Sequence, residues 1–124
     1  MMATTTAERG TIESRKEPRY SVTWRGRLIL PNGQVQEVRV RDISEKGVGL
    51  LADQPLPSNT VMQLVLGVPD LQDMTRIMAV PVRINSAYVV MQSHDFRVGG
   101  TWIDLSVGVR SLLQDWMRKL SYKL

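Results

Sequence analysis

Val35-Gln36-Glu37-Val38-Arg39-Val40-Arg41-Asp42-Ile43-Ser44-Glu45-Lys46-Gly47-Val48-Gly49-Leu50 is the stretch from which the fold can be read. Val38 and Val40 alternate with Arg39 and Arg41, the period of two of a strand with one apolar and one arginine-bearing face. The alternation then slips. Asp42 shares parity with Val38 and Val40, yet Ile43 is the apolar residue, and a regular strand cannot keep both inside. A bulge or bend near Asp42 is therefore expected, of the kind that re-aims a polar side chain at the rim of a sheet. Gly47 and Gly49 bracket the start of a further strand, Val48 to Ala52.

Working outward, Val22, Trp24, Leu28 and Leu30 alternate with Ser21, Thr23, Arg25, Arg27 and Ile29, and Pro31-Asn32-Gly33 is a turn signal leading into Val35. The second strand is expected to run through Val35, Val38 and Val40 with Arg39 and Arg41 on its other face, so the two strands predict a hairpin with an apolar inside and an arginine-studded outside. Downstream, Pro55, Pro57 and Ser58 mark a loop, and Val61 to Val68 reads as a strand that Pro69-Asp70 ends. Met74 to Asn85 and Ala87 to Gln92 read as another hairpin, after which Ser93-His94-Asp95 turns the chain into Phe96 to Leu105. The period then changes. Val109, Leu112, Leu113, Trp116, Met117 and Leu120 fall at helical spacing, with Ser106 as a fair N-cap and Arg118, Lys119 and Lys123 near the C-terminus. Several short strands followed by one helix predict a mainly β chain, a small barrel or sandwich with a docked helix. Residues 1–13 are polar and weakly patterned and are expected to form a flexible tail. Residues 14–122 are expected to form a single domain, with its helix from about 106.

At 124 residues the chain is long enough to bury a core without disulfides or a metal. It has no cysteine, which excludes a disulfide framework, a thiolate zinc site and a thiol nucleophile. Met1 to Ser14 lacks the apolar run of a signal peptide, and no stretch approaches the roughly 20 apolar residues of a membrane span, so a soluble, cytoplasmic protein without membrane insertion is expected. The net charge of +4 is modest for a polyanion binder. Its distribution is more telling: Arg15, Lys16, Arg19, Arg25, Arg27, Arg39, Arg41 and Lys46 crowd one stretch that holds only Glu17, Glu37, Asp42 and Glu45 in opposition. Arginine's planar fork suits bidentate contact with phosphate and guanine, although a solvated face of two amphipathic strands accounts for the same residues. The one histidine, His94, sits beside Asp95 in a turn, with no Cys/His cluster, nucleophile elbow or P-loop, and no catalysis is expected.

Two short motifs occur in fixed order. Arg15-Lys16-Glu17-Pro18-Arg19 is an R-x-x-x-R, and Asp42-Ile43-Ser44-Glu45-Lys46-Gly47 is a D-x-S-x-x-G. Pro18 blocks a regular helix across the first, so Arg15 and Arg19 are not stacked one turn apart. Fully extended, their Cα atoms would be about 13 Å apart, and converging on one ligand requires the segment to curl. The combination suits a phosphorylated guanine ligand: guanidinium groups for phosphate and for O6 and N7, Asp42 as acceptor for N1–H and N2–H, Ser44 for one further hydrogen bond, and Gly47 for close backbone approach. Each motif alone also has a bland reading, with Asp42 and Ser44 capping a turn and Gly47 supplying only positive φ.

With both motifs in place the chain resembles the PilZ domain family over about Ser14 to Ser121. The resemblance includes the intervening strands, Val48-Gly49-Leu50, and Val98-Gly99-Gly100-Thr101-Trp102-Ile103-Asp104, where the family's usual Phe is replaced by Trp102. It implies a six- to seven-stranded antiparallel β-barrel with a C-terminal α-helix that binds cyclic dimeric GMP and needs no metal or other cofactor. On that resemblance Arg15, Arg19, Asp42, Ser44 and Gly47 are the ligand-binding residues. Arg41 and Trp102 are secondary candidates, and Ser14 leaves open whether one ligand or a stacked pair is bound. The resemblance also implies that the N-terminal segment folds over the barrel and that the signal passes to a protein effector. The alternatives are a PilZ-like protein-interaction module that binds no nucleotide, and a small basic barrel that binds nucleic acid. Sparse aromatics oppose the last.

Overall fold

The computed structural model describes residues 17–122. The expected tail, Ser14 and Arg15 lie outside the described residues. The strands are β1 (Tyr20–Ile29), β2 (Val35–Ile43), β3 (Gly47–Ala52), β4 (Val61–Pro69), β5 (Ile77–Gln92) and β6 (Asp95–Ile103), followed by helix α1 (Val107–Ser121). They close into an antiparallel barrel in the order β1-β2-β3-β6-β5-β4. This is the mainly β barrel with a C-terminal helix that the sequence predicts, and the described residues form six strands.

The binary pattern sets the two faces. Trp24, Leu28, Val38, Val40, Val48, Leu50, Leu64, Leu66, Val82, Ile84 and Val98 point inward and are buried, while Arg25, Arg27, Arg39, Arg41 and Arg97 are exposed. The β1–β2 turn closes where Asn-Gly predicts. Gly33 has φ +87° and its N–H donates to the Leu30 carbonyl at 2.8 Å. Val35 differs from the expected inside residue: it has the opposite parity to Val38 and Val40 and is 53% exposed.

Ser106 caps α1 as expected, its Oγ accepting from the Val109 N–H at 3.2 Å. Leu113, Trp116 and Met117 are buried against the barrel. Trp116 meets Trp24 edge to face with centroids 5.3 Å apart, and its Nε1–H donates to the Pro69 carbonyl at 3.1 Å. One side chain thus ties the helix to both β1 and β4.

The second predicted hairpin is a single strand. Residues Ile77 to Gln92 run without reversal, and the 85–88 region is a bulge, with Ser86 opposite Gly100 and Tyr88 opposite Gly99. Asn85-Ser86 reads as a turn because it is polar. The polarity of Ser86 is satisfied instead by the 57–60 loop: its hydroxyl donates to the Pro57 carbonyl at 2.7 Å and its N–H to the Thr60 carbonyl at 2.9 Å. Fully buried Ser86 therefore costs little, since a buried polar group is expensive only when unpaired.

Trp116→Phe keeps the ring but leaves the Pro69 carbonyl without its donor, and urea unfolding is expected to show a loss of about 1–2 kcal/mol. Trp116→Ala removes the aromatic contact as well and is expected to cost about 3–5 kcal/mol.

Candidate functional site

The bulge expected at Asp42 is present, and it organises the site. Val40 faces Leu50 and Asp42 faces Gly49, so Arg41 is the extra residue on β2. Ile43 can then point inward while the carboxylate of Asp42 stays outside. The bulge in β5 does the same for Tyr88, which faces outward one residue out of phase with Arg83 and Asn85. Both bulges border the Gly49–Gly99 pair. The result is one cross-strand row, Asp42–Gly49–Gly99–Tyr88, spanning β2, β3, β6 and β5.

The two glycines in the middle of that row are fixed by what lies over them. A Cβ on Gly49 would come within 2.6 Å of Asp42 Oδ2, and one on Gly99 would collide with the Tyr88 ring. The carboxylate therefore rests on one glycine and the phenol ring on the other. Between them is an open cavity of about 150 Å³. Its walls include Glu17, Arg19, Ser44, Lys46, Gly47 and Thr101. Arg19 Nη1 lies 3.9 Å from Asp42 Oδ1, at the outer limit of an ion pair, and the arginine side chain is 45% exposed. Glu17 Oε2 is buried at the cavity and has no hydrogen-bond partner among the described residues.

The D-x-S-x-x-G turn is held by its own serine. Gly47 N–H donates to Ser44 Oγ at 3.1 Å and Ser44 N–H to the Gly47 carbonyl at 2.9 Å. Ser44 is 5% exposed, so its hydroxyl is largely committed to this turn while it borders the cavity. Gly47 is not in the left-handed region, which answers the bland reading of that position. Its missing Cβ makes room for the Gly100 carbonyl across the β3–β6 pair. Trp102 lies behind the turn rather than in the cavity lining. Its Nε1–H donates to the Ser44 carbonyl at 3.0 Å, and its backbone N–H to the Lys46 carbonyl at 2.9 Å. Arg41 is exposed on the bulge and does not line the cavity.

The structure thus brings together Arg19, Asp42, Ser44 and Gly47. Tyr88, Gly49, Gly99 and Glu17 belong to the same site and were not read from the sequence. Gly49 and Gly99 stand at outward strand positions, a usable signal for close approach. Tyr88 had none while its strand was parsed as a separate hairpin. His94 is exposed in the β5–β6 turn, away from the cavity. Among the described residues no group of three or more His, Cys, Asp and Glu is placed to hold a metal, and no helix is long and apolar enough to cross a membrane.

Residues 13–119 match the PilZ domain family model. The chain belongs to the PilZ domain family. No curated protein matches it significantly. Among solved structures it is similar to the PilZ domain with c-di-GMP of YcgR from Escherichia coli, with TM-score 0.70 and 14% identity over 88% of this chain and 92% of that one. It is also similar to the Bacillus subtilis inhibitor of motility MotI/DgrA, with TM-score 0.71 and 15% identity over 89% of this chain and 52% of that one. The K. pneumonia MrkH–c-di-GMP complex gives TM-score 0.59 and 15% identity over 89% of this chain and 55% of that one. At these identities the likeness is one of fold. The chain spans nearly all of the YcgR PilZ domain and about half the length of the other two.

Gly99→Ala is expected to push Tyr88 off the sheet at a cost of about 1–3 kcal/mol, read as a lowered urea midpoint together with a shift of the Tyr88 ring resonances. A midpoint and ring resonances equal to wild type would show that the ring does not rest on this glycine.

Proposed function

We propose that this PilZ domain is a receptor for cyclic dimeric GMP, and that the cavity bordered by the row Asp42–Gly49–Gly99–Tyr88 receives a guanine. The row itself carries the reading. The Tyr88 ring, lying over Gly99, offers a flat base a stacking partner at one end of the cavity. At the other end Asp42 offers a carboxylate to guanine N1–H and N2–H. At 3.9 Å and in partial contact with water, the Arg19–Asp42 pair contributes little. Arg19 is therefore free to turn toward phosphate or the guanine O6 and N7 atoms at low cost, leaving the Asp42 oxygens to the base.

The cavity accommodates one base, so the rest of the dinucleotide lies along the outside of the barrel toward the segment bearing Arg15 and Arg19. Arg15 and Arg19 clamp the phosphates, and Lys46 and Arg41 add positive charge near them. Ser44 and Gly47 shape the turn beneath, and Trp102 braces it. Ser14, next to Arg15, bears on whether a second ligand stacks on the first. No cofactor or metal is required and no bond is broken, so the domain is a receptor and not an enzyme. Residues 14–122 act as one unit, residues 1–13 as a leader to the clamp, and binding orders the N-terminal segment against the barrel so that a cytoplasmic protein effector can read it. That YcgR and MrkH are described with c-di-GMP supports this reading.

Calorimetric titration with cyclic dimeric GMP, against GTP and a linear dinucleotide, tests it. Binding with Kd on the order of 1 μM or tighter is expected, with the fitted stoichiometry reporting one ligand or a pair. Arg15→Ala, Arg19→Ala and Asp42→Ala are each expected to weaken binding by about tenfold or more. Absence of binding at high ligand concentration would overturn the proposal. Tyr88→Ala is expected to lose about 1–3 kcal/mol of binding while Tyr88→Phe keeps it, separating stacking from the hydroxyl.

A further inference from the structure

The outer face of a solvated antiparallel sheet is normally polar, and most of this barrel obeys. β4 and β5 do not. Their outward residues meet in three directly opposed pairs, Pro69–Ile77, Gly67–Ala79 and Val65–Pro81, all without a polar side chain. Ile77 is 62% exposed, and Ala79 and Pro81 are exposed beside it. The small residues at the centre leave a shallow cleft of about 260 Å³ between Arg25, Val65, Gly67, Ile77 and Ala79. Its lining shares no residue with that of the nucleotide cavity.

The paired Arg27 and Glu37 also line this cleft, and the outer face around it carries three arginines without carboxylate partners among the described residues. Arg25 faces Gly67 on β4 and stands across from Arg39 on β2, which holds Asp53 at 3.3 Å and Asp95 at 3.1 Å while Arg25 holds neither. Arg76 precedes Ile77, and Arg83 follows Pro81 at the next outward position. Among the described residues none of Arg25, Arg76 and Arg83 has a carboxylate within ion-pair distance. Arg27 does, holding Glu37 at 2.8 Å. Asp73, near Arg76 in the chain, is engaged elsewhere. It accepts from the Thr75 hydroxyl at 2.6 Å and the Thr75 N–H at 3.2 Å, and those bonds hold its carboxyl below the ordinary aspartate value.

We infer that the β4–β5 face is a docking surface for a protein segment that presents an apolar side chain flanked by carboxylates. The apolar pairs receive the anchor and Arg25, Arg76 and Arg83 receive the acids. A second copy of this chain fits less well. A two-fold contact through this face would bring the same arginines of both copies together without counter-charges. The surface does not depend on the nucleotide reading, because its residues lie outside that cavity.

The test is peptide selection on purified full-length protein, with a phage-displayed linear library and counter-selection on Ala79→Arg. The best peptide is then synthesised and titrated into isotope-labelled protein. The expected consensus is an apolar residue flanked by Asp or Glu, with amide shifts at Gly67, Ile77 and Ala79. Binding is expected to fall about tenfold or more in Ala79→Arg and in Ile77→Asp, to weaken several-fold in Arg25→Glu, and to weaken as salt rises. Both face variants should melt as wild type does and titrate cyclic dimeric GMP as wild type does. No enrichment, a neutral or basic consensus, shifts elsewhere, or equal binding to Ala79→Arg would each overturn the inference. So would a wild-type dimer in sedimentation that Ala79→Arg dissolves, since the face would then be covered by a second copy.

Discussion

The site depends on two extra residues. A regular strand alternates strictly, so each position's face is settled by its neighbours. Arg41 in β2 and Ala87 in β5 break that rule on either side of the paired strands β3 and β6. Each lets the strand keep an apolar residue inside while the next functional side chain turns out: Ile43 with Asp42, and Val89 with Tyr88. Because both breaks fall beside the Gly49–Gly99 pair, the two re-aimed side chains end in one row, each lying over a glycine. Forcing either strand into regular alternation with its extra residue kept would exchange core for surface from that point on.

Bare backbone in mid-strand is unfavourable, since glycine loses the most freedom on folding and packs nothing. Here the loss is offset by covering. The Tyr88 ring lies on Gly99, an aromatic shielding a glycine across a strand pair, and the Asp42 carboxylate lies over Gly49. The same glycines that weaken the sheet let an aromatic and an anionic side chain lie close against it at two ends of one cavity. Trp102 and Ser44 add rigidity from behind by fixing the β2–β3 turn. The site is built on paired strands and a hydrogen-bonded turn, which holds its geometry more tightly than a free loop would.

Much of this was legible in the sequence because the inward and outward residues of β1 and β2 alternate cleanly until Asp42, where a break in parity is itself a signal. Asn32-Gly33, Ser106 and the helical spacing through Trp116 were equally plain, since each reports a local requirement. β5 was not legible, for a physical reason. Asn85-Ser86 has the polarity of a turn, and only the 57–60 loop, distant in sequence, reveals that the polar groups of Ser86 are paired within a continuous strand. Tyr88 was lost with it, because a side chain's face cannot be assigned once the strand's phase is wrong. Val35 misled in the opposite direction: an apolar residue at a strand end is cheap to expose, and parity outweighed hydropathy.

On the proposed reading, the barrel also constrains how binding is read out. The six strands close into a continuous ring of antiparallel pairs, and Trp116 ties α1 to β1 and β4 at once. A closed, close-packed sheet has no second arrangement at low cost, so it transmits little by bending. What a ligand can change cheaply lies at the barrel's surface: the loose Arg19–Asp42 pair and the segment that brings Arg19 to the cavity. The outward face of β4 and β5 shares strand β5 with the cavity but none of its lining. On these grounds the barrel is a rigid frame that holds two faces in fixed relation. A partner that senses the ligand must touch the segment around Arg19 as well as any face of the frame, because a differential contact is the only thing by which a bound state can be told from a free one.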